Sequence, residues 1–237
     1  HRVDRRQRQM CIRDRLKDPL EDCTNPLDIW IISRLHQLVA DVEKYMDSYN
    51  IPDAMNPILP FLDDASNWYV RRSRRRFWKS EDDNDKEMAY RTLHYVLVRL
   101  SYVMAPFTPF LAEELYHNLT GDKESVHLKD WQPAGHVNQL IVDDMKAVRE
   151  IINDGLSQRA KEGIKVRQPL AAPIISTSVT KRERLVAYAD VIIDELNVKD
   201  VIFPVNEGKS DDTVEVSMDF ELTPELRREG MMREICL

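Results

Sequence analysis

Residues 86–105, KEMAYRTLHYVLVRLSYVMA, are apolar on most sides of a helix, and they restrict the possible folds more than any other stretch of the chain. A helix that is apolar around most of its circumference must be surrounded by other elements. Pro106 ends this helix, and Thr108 and Pro109 predict the N-cap and first residue of another, which Gly121 closes. The stretch therefore predicts the middle of a helical bundle.

Three further helices are predicted around it. The first opens at Asn25 and Pro26, and its apolar stripe consists of Ile31, Leu35, Leu38, Val42 and Tyr45. A second helix is expected from about Pro57 or Pro60 to Trp78. A later helix has a stripe of Ile141, Met145, Val148, Ile152 and Leu156. Short connections between such helices predict an antiparallel bundle.

After residue 163 the apolar pattern changes. Residues 165–177 and 199–205 are typical of short strands, and apolar residues alternate with polar ones over 214–222, as in a half-buried strand. Helices are predicted at 181–197 and 223–235. The fold class is therefore mainly α, with an antiparallel helical bundle over 25–162 and a small α+β subdomain over 163–237.

The two ends of the chain do not match this pattern. Residues 1–15, HRVDRRQRQMCIRDR, have no apolar periodicity and are predicted to be a non-native leader, followed by a linker at 16–24. The last predicted helix runs to Leu237 without a C-cap, so we expect a fragment that is truncated there.

Composition narrows the functional classes. Cys11, Cys23 and Cys236 are far apart and lack histidines at ligand spacing, which predicts reduced thiols and no metal site. The sequence contains neither a membrane-spanning run nor a signal sequence, so a cytoplasmic location is expected. The six glycines form no phosphate-binding loop, and we predict no catalytic residues in this chain.

The stretch NWYVRRSRRRFWKS, residues 67–80, holds six positive side chains and no acidic one, although the chain has a net charge of −7. On a wheel at about 100° per residue, the arc predicted to face the core contains Leu59, Leu62, Ser66, Tyr69, Val70, Ser73 and Phe77. The opposite arc contains Trp68, Arg71, Arg72, Arg75, Trp78 and Lys79. Aromatic rings can stack on bases while arginines hold phosphates, so this arc predicts a nucleic-acid-binding face.

Two other interpretations of the basic stretch remain open. Its tryptophans can pack against neighbouring helices while its arginines lie in solvent, or the basic face can dock an acidic protein. The stretch contains no interspersed Glu or Asp, although an exposed helix is usually stabilised by i,i+4 ion pairs between acidic and basic residues. This absence favours nucleic acid as the ligand.

His94, in the predicted central helix, is expected to be a hydrogen-bonded core residue rather than a metal ligand.

Four blocks of the sequence resemble the anticodon-binding domains of class I aminoacyl-tRNA synthetases. They are FLDDASNWYVRRSRRRFW (61–78), MAPFTPFLAEELY (104–116), SVHLKDW (125–131) and IKVRQPL (164–170). The resemblance extends from about residue 25 onward and is strongest to the isoleucine-specific branch. The valine-specific branch is the alternative, but the segment 223–235 is similar to the one leading into the C-terminal region of isoleucine enzymes.

The resemblance implies the tRNA-binding portion of an ATP-dependent ligase. In this family the catalytic Rossmann domain and the editing domain would lie upstream of Asn25, and neither the HIGH-type nor the KMSKS-type signature occurs here. This chain alone is therefore expected to be inactive and to bind no cofactor, since ATP and Mg²⁺ belong to the complete enzyme. The expected partners are the anticodon stem-loop of isoleucine-accepting tRNA and the catalytic and editing domains of the same polypeptide, in a monomer.

The family's tRNA contacts can be carried over to individual positions. The predicted contacts are Asn67, Trp68, Arg71, Arg72, Arg75, Trp78 and Lys79. Trp68 is predicted to stack on a nucleotide rather than pack inside the bundle. Lys165 and Arg167 are expected to share one face of a strand and to reach the tRNA, and the alternative is that this strand and turn brace the junction.

Overall fold

The computed structural model describes residues 23–79, 83–204 and 214–235, apart from the side chains of Lys79, Glu234 and Ile235. These residues form two compact units, of which the first ends at Val142 and the second begins at Asp143. The predicted leader and most of the predicted linker lie outside the described residues. The boundary between 162 and 163 stays a prediction, because the helix that precedes it begins in the first unit and continues in the second.

The first helix, α1 (Pro26–Asp47), begins as predicted. Asn25 is its N-cap, and the Asn25 side chain accepts a hydrogen bond from the backbone N–H of Leu27 at 3.0 Å. This bond satisfies one of the backbone donors that a helix start leaves unpaired. The predicted stripe packs inward, with Ile31, Leu35, Leu38 and Val42 buried.

A change of helical type divides the second predicted helix. A short helix, α2 (Ile51–Met55), precedes its predicted start. The chain then forms α3 (Ile58–Asp63), a segment of π-helix (Asp64–Val70) and α4 (Arg71–Lys79). A π-helix bonds residue i to i+5 and therefore has a wider turn than an α-helix. Positions before and after this π segment consequently do not share one helical phase.

The change of phase corrects two predicted core positions. Leu59 is 75% exposed and Ser66 is exposed, because a wheel at a constant 100° per residue does not apply across the π segment. Tyr69, Ser73 and Phe77 are buried, as predicted.

The helix predicted over 86–105 lies in the middle of the bundle, as expected. This helix, α5 (Asp83–Met104), buries Val96, Leu100 and Val103. His94 is half-buried, and its Nε2 lies 3.2 Å from the carbonyl oxygen of Leu119. The next helix, α6 (Pro109–Thr120), ends at Gly121, whose φ of 64° is a left-handed conformation that glycine adopts without strain.

The second unit contains most of α7 (Gln139–Lys161), and Met145, Val148 and Ile152 of the predicted stripe are buried there. The remaining helices are α8 (Val179–Leu185), α9 (Ala189–Leu196) and α10 (Pro224–Ile235). A 3₁₀ turn, Val186–Tyr188, separates α8 from α9, so the single helix predicted at 181–197 was wrong.

The strands of the second unit are shorter than predicted. Strand β1 (Ile174–Ser176) pairs antiparallel with β2 (Glu215–Ser217), with Ile175 opposite Val216. The predicted strand at 199–205 contributes one isolated bridge, at Ile202. Burial nevertheless alternates along 214–222 as predicted, because every second residue there is exposed.

A buried ion pair connects α1 to α4. The guanidinium of Arg76 donates to both carboxylate oxygens of Asp28, at 2.8 and 2.7 Å, and its Nε lies 2.9 Å from Asp85. Tyr69 donates its hydroxyl to Asp28 at 2.7 Å. Asp28 is fully buried and the Arg76 side chain is 13% exposed. We call Asp28, Tyr69, Arg76 and Asp85 the Asp28–Arg76 cluster.

The protonation of this cluster follows from its burial. Burial and the nearby Asp28 charge raise the pKa of Tyr69, so its hydroxyl stays a donor. Burial disfavours the charge on Arg76, but its hydrogen bonds to Asp28 and Asp85 outweigh that effect and raise its pKa. Both Tyr69 and Arg76 therefore stay protonated at neutral pH.

We expect Asp28→Asn to lower the free energy of unfolding by about 3 to 5 kcal/mol, because it leaves the largely buried Arg76 with half of its counter-charge. Urea denaturation followed by circular dichroism measures the change. Arg75→Ala, one residue from Arg76 but exposed, is the matched control and should change stability by less than about 0.5 kcal/mol. Equal, small losses for both variants would contradict a structural role for the cluster.

A second polar cluster holds the loop 121–131 against α6. Glu113 Oε2 accepts hydrogen bonds from Ser125 Oγ at 2.9 Å and from the backbone N–H of Val126 at 3.0 Å. His117 lies 2.9 Å from the other oxygen of Glu113, and its Nδ1 lies 2.6 Å from the carbonyl oxygen of Asp122. Only a protonated imidazole can donate to both acceptors.

Both pKa values shift in the direction that this geometry requires. The bond to the Asp122 carbonyl, supported by the one to Glu113, raises the pKa of His117 above its usual 6.5 despite desolvation. Desolvation opposes ionisation of Glu113, but the bonds from Ser125, Val126 and His117 prevail and lower its pKa.

Protonated His117 contributes to the unfolding free energy of the first unit. We expect this contribution to be complete below pH 6.5, the ordinary pKa of histidine, and to disappear as pH rises through the raised pKa of the folded state. The contribution of Glu113 is present above pH 4.5, its ordinary pKa, and is lost as pH falls through its lowered folded-state pKa. The difference in unfolding free energy between the unaltered chain and His117→Gln should therefore shrink above neutral pH. His136→Gln, at an exposed histidine, is the control, and a difference for His117→Gln that is constant with pH would contradict the assignment.

Candidate nucleic-acid interface

Helix α4 presents opposite faces to the core and to solvent. Ser73 and Phe77 are buried, at 0% and 7% exposed. Residues at positions three and four apart lie one above another on a helix, and those at 71, 74, 75 and 78 form one exposed surface. We call this surface the basic face, and it consists of Arg71, Arg74, Arg75 and Trp78.

Contacts on the inner side fix the rotation of α4. The ring of Phe77 lies 5.1 Å from that of Tyr90 of α5, and the Tyr90 hydroxyl donates to the Phe77 carbonyl oxygen at 3.2 Å. Arg76 is held by the Asp28–Arg76 cluster. With Phe77 and Arg76 turned inward, the basic face must point to solvent.

Three of the seven predicted tRNA contacts, Arg71, Arg75 and Trp78, lie on the basic face. Arg72 is half-buried, with its Nε shielded from solvent. Asn67 is exposed on the π segment, where its amide donates to Asp63 at 2.6 Å. The side chain of Lys79 lies outside the described residues.

Trp68 and Arg74 differ from the prediction. Trp68 is half-buried in the π segment rather than on the open face with Trp78, because the π segment rotates it away from the phase of α4. Arg74 is exposed and belongs to the basic face, although the wheel omitted it. Within 71–79 the angles do not depend on the starting residue, and Arg74 joins the exposed arc once the largely buried Arg76 is counted on the inner side with Ser73 and Phe77.

Lys165 and Arg167 are both exposed, but they do not share a strand face. Residues 164–168 contain a turn, closed by a hydrogen bond of 3.0 Å from the backbone N–H of Gln168 to the carbonyl oxygen of Lys165. Arg159 donates to the carbonyl oxygens of Lys165, at 2.8 Å, and of Gln168. The side chain of Asn197 donates to the Arg167 carbonyl oxygen at 3.0 Å. These bonds take the place of strand pairing, so the strand predicted at 165–177 was wrong in its first part, over 165–168, and forms only at Ile174–Ser176.

Arg159 is an unusual residue for a turn support. It is 1% exposed and donates to carbonyl oxygens, including that of Leu196 at 3.0 Å. Burial lowers the pKa of Arg159, although a guanidinium remains charged in proteins. Its positive charge therefore lies directly beneath a turn that displays Lys165 and Arg167.

A groove of about 510 Å³ occupies another part of the first unit, beside the end of α1 and the loop 126–131. Its lining includes the carboxylates Glu43, Asp47 and Asp130. Its lysine, Lys129, is already paired with Asp122 at 3.0 Å and with Glu124. Carboxylates repel phosphate, so this groove does not suit nucleic acid and the basic face does.

The described residues contain neither a candidate metal site nor a candidate membrane span. Among them, no group of three or more His, Cys, Asp or Glu side chains is placed to hold a metal ion. In the same part of the chain, no helix is both long and apolar enough to cross a bilayer.

Comparison with known proteins finds relatives that align with most of the chain. These relatives are curated isoleucine–tRNA ligases. The protein from Dehalococcoides mccartyi (strain CBDB1) is 42% identical over 226 residues, covering 88% of this chain and 22% of that protein. Those from Treponema denticola and Chlamydia trachomatis serovar D are 40% and 44% identical, covering 84% and 75% of this chain and 18% of each protein.

The chain thus spans about a fifth of the length of the curated relatives that it matches. The family model described as the anticodon-binding domain of tRNA ligase matches residues 28–175, which include α4 and the turn at 164–168. That match covers more than half of the chain. The chain therefore belongs to the family of anticodon-binding domains of tRNA ligases.

Proposed function

We propose that this chain is the tRNA-binding portion of an isoleucine–tRNA ligase and that the basic face contacts the anticodon stem-loop. The observation that carries the proposal is the arrangement of α4, which directs three arginines and a tryptophan to solvent from one helical face. Arginine binds phosphate through a planar fork of donors, and tryptophan offers a flat ring to a base. The names of the relatives favour isoleucine over valine.

The mechanism is one of positioning. Arginines that bind backbone phosphates set the register and orientation of an RNA without reading its sequence. By holding the anticodon end, the chain would place the acceptor end in a distant catalytic domain of the same polypeptide. ATP and Mg²⁺ would act there and in no step performed by this chain. We also propose that the protein is cytoplasmic and monomeric.

The contacts divide by position. Arg71, Arg74 and Arg75 bind phosphates from the basic face, and Asn67, Trp68 and Arg72 extend this surface at its edges. Lys79 is a further proposed contact. Lys165 and Arg167 provide a second, smaller contact, for which the buried charge of Arg159 adds positive potential. An acidic protein is the competing ligand for the basic face.

We expect Arg71→Ala and Arg75→Ala each to weaken tRNA binding by about 1 to 2 kcal/mol. Each should also reduce the slope of log K against log[salt] by about one unit, because one fewer counterion is released. Stability should change by less than about 0.5 kcal/mol. Filter binding or fluorescence anisotropy at several salt concentrations measures both quantities.

Arg227→Ala is the matched control, because it removes one arginine from an exposed position of α10 and changes the net charge equally. Its affinity and salt slope should equal those of the unaltered chain. Should all three variants bind tRNA alike, the basic face would not be the tRNA site, and an acidic protein would become the better candidate ligand.

Trp68 remains a predicted stacking residue. Its replacement by alanine should lower tRNA affinity by about 1 to 3 kcal/mol and leave the salt slope unchanged, because stacking releases no counterions. Packing alone predicts a different outcome, a loss of about 3 to 5 kcal/mol in unfolding free energy with the affinity of the folded fraction intact. Thermal melts beside tRNA titrations distinguish the two.

A further inference from the structure

Trp78 is the most exposed tryptophan in the described part of the chain, at 79%. Its side chain has no hydrogen bond or ring contact within the described residues, and neither does the side chain of its neighbour Arg74. Large aromatic rings usually bury most of their surface, so an open indole beside an open guanidinium is an uncommon surface feature.

Arg74 and Trp78 are four residues apart on α4, so their side chains are neighbours on the basic face. Arg75 lies three residues before Trp78 and flanks it on the other side. The indole therefore has a positive group on each side, one helical turn away. This arrangement can hold a ring on the indole and the adjoining phosphates on the guanidinium groups.

The indole is mounted on a rigid support. Phe77, the preceding residue, is 7% exposed and packs against Tyr90 with ring centroids 5.1 Å apart. The Tyr90 hydroxyl bonds to the Phe77 carbonyl oxygen, and Arg76 is tied to Asp28 and Asp85. The backbone that carries Trp78 is thus fixed before any ligand binds, which lowers the entropic cost of binding.

The chemistry of stacking restricts the ligand. Inside a duplex, both faces of a base are covered by neighbouring base pairs, so an indole on a helix surface cannot reach them. A base in a single-stranded loop can turn out and expose a face. We propose that Trp78, with Arg74 and Arg75, is a stacking site for one unpaired nucleotide of the bound RNA, an inference that rests on the proposed tRNA-binding function.

The test compares two RNA probes with the full chain. One is the anticodon stem-loop of an isoleucine-accepting tRNA, and the other is a duplex of the same stem without its loop. Trp78→Ala should weaken stem-loop binding by about 5- to 150-fold and change duplex binding by less than about twofold. Trp78→Phe keeps a ring and should retain most of the affinity. Neither variant should alter the salt slope, because an indole displaces no counterions.

Arg74→Gln separates the phosphate contact from the stack. It should reduce the salt slope by about one unit for the stem-loop and leave the quenching of Trp78 fluorescence by bound RNA in place. Trp131→Ala, at another exposed tryptophan, 38% exposed and away from the basic face, is the matched control and should bind both probes like the unaltered chain. Melting temperatures confirm that each variant is folded.

The outcomes separate this inference from the proposed function. If Trp78→Ala binds the stem-loop normally, or weakens both probes equally, while Arg71→Ala and Arg75→Ala still impair tRNA binding, the stacking site is overturned and the tRNA-binding function stands. If the unaltered chain binds neither probe nor whole tRNA at low salt, both are overturned.

Discussion

The ion pair between Arg76 and Asp28 is the interaction on which the arrangement of the first unit depends. It joins residues 48 positions apart in the sequence and closes over a carboxylate that is fully buried. Arg76 cannot turn to solvent without leaving that charge unpaired, which is among the costliest changes that a protein interior can undergo. With Arg76 inward, the helical repeat leaves the basic face no orientation except outward. One arginine of the basic stretch thus supports the fold and turns its neighbours toward solvent.

The stabilising contacts and the proposed binding groups consequently lie on opposite faces of the same short helix. The inner face of α4 contains Phe77 and Arg76, whose partners are on α1 and α5, and the outer face contains groups that contribute little to folding. An acidic chain can keep such a basic patch, because the three outward arginines are exposed to water, which solvates their charge. This separation suits the proposed function, in which the chain holds a large polyanion in one orientation while its own structure stays unchanged.

Features set by neighbouring residues could be predicted from the sequence, and features set by distant contacts could not. The start of α1 at Asn25, the end of α6 at Gly121 and the alternating burial over 214–222 each follow from local chemistry. The π segment changed the helical phase and misplaced Trp68, and the wheel omitted Arg74 because it did not place Arg76 on the inner side. No local pattern reveals that Asp28 pairs with Arg76. Nor does any local pattern reveal that the side chains of Arg159 and Asn197 donate hydrogen bonds to the carbonyl groups of residues 165–168, which prevents a strand there.

The central claim is that the outward face of α4 is where RNA lies on this chain. Ultraviolet cross-linking of the chain to an isoleucine-accepting tRNA, followed by mass spectrometry of the linked peptides, tests it most directly, because the measurement requires no substitution. The account predicts that the main cross-linked peptides come from residues 67–79, with weaker ones from the turn at 164–168. Cross-links confined to the groove beside the loop 126–131, or to α10, with none in α4, would contradict it.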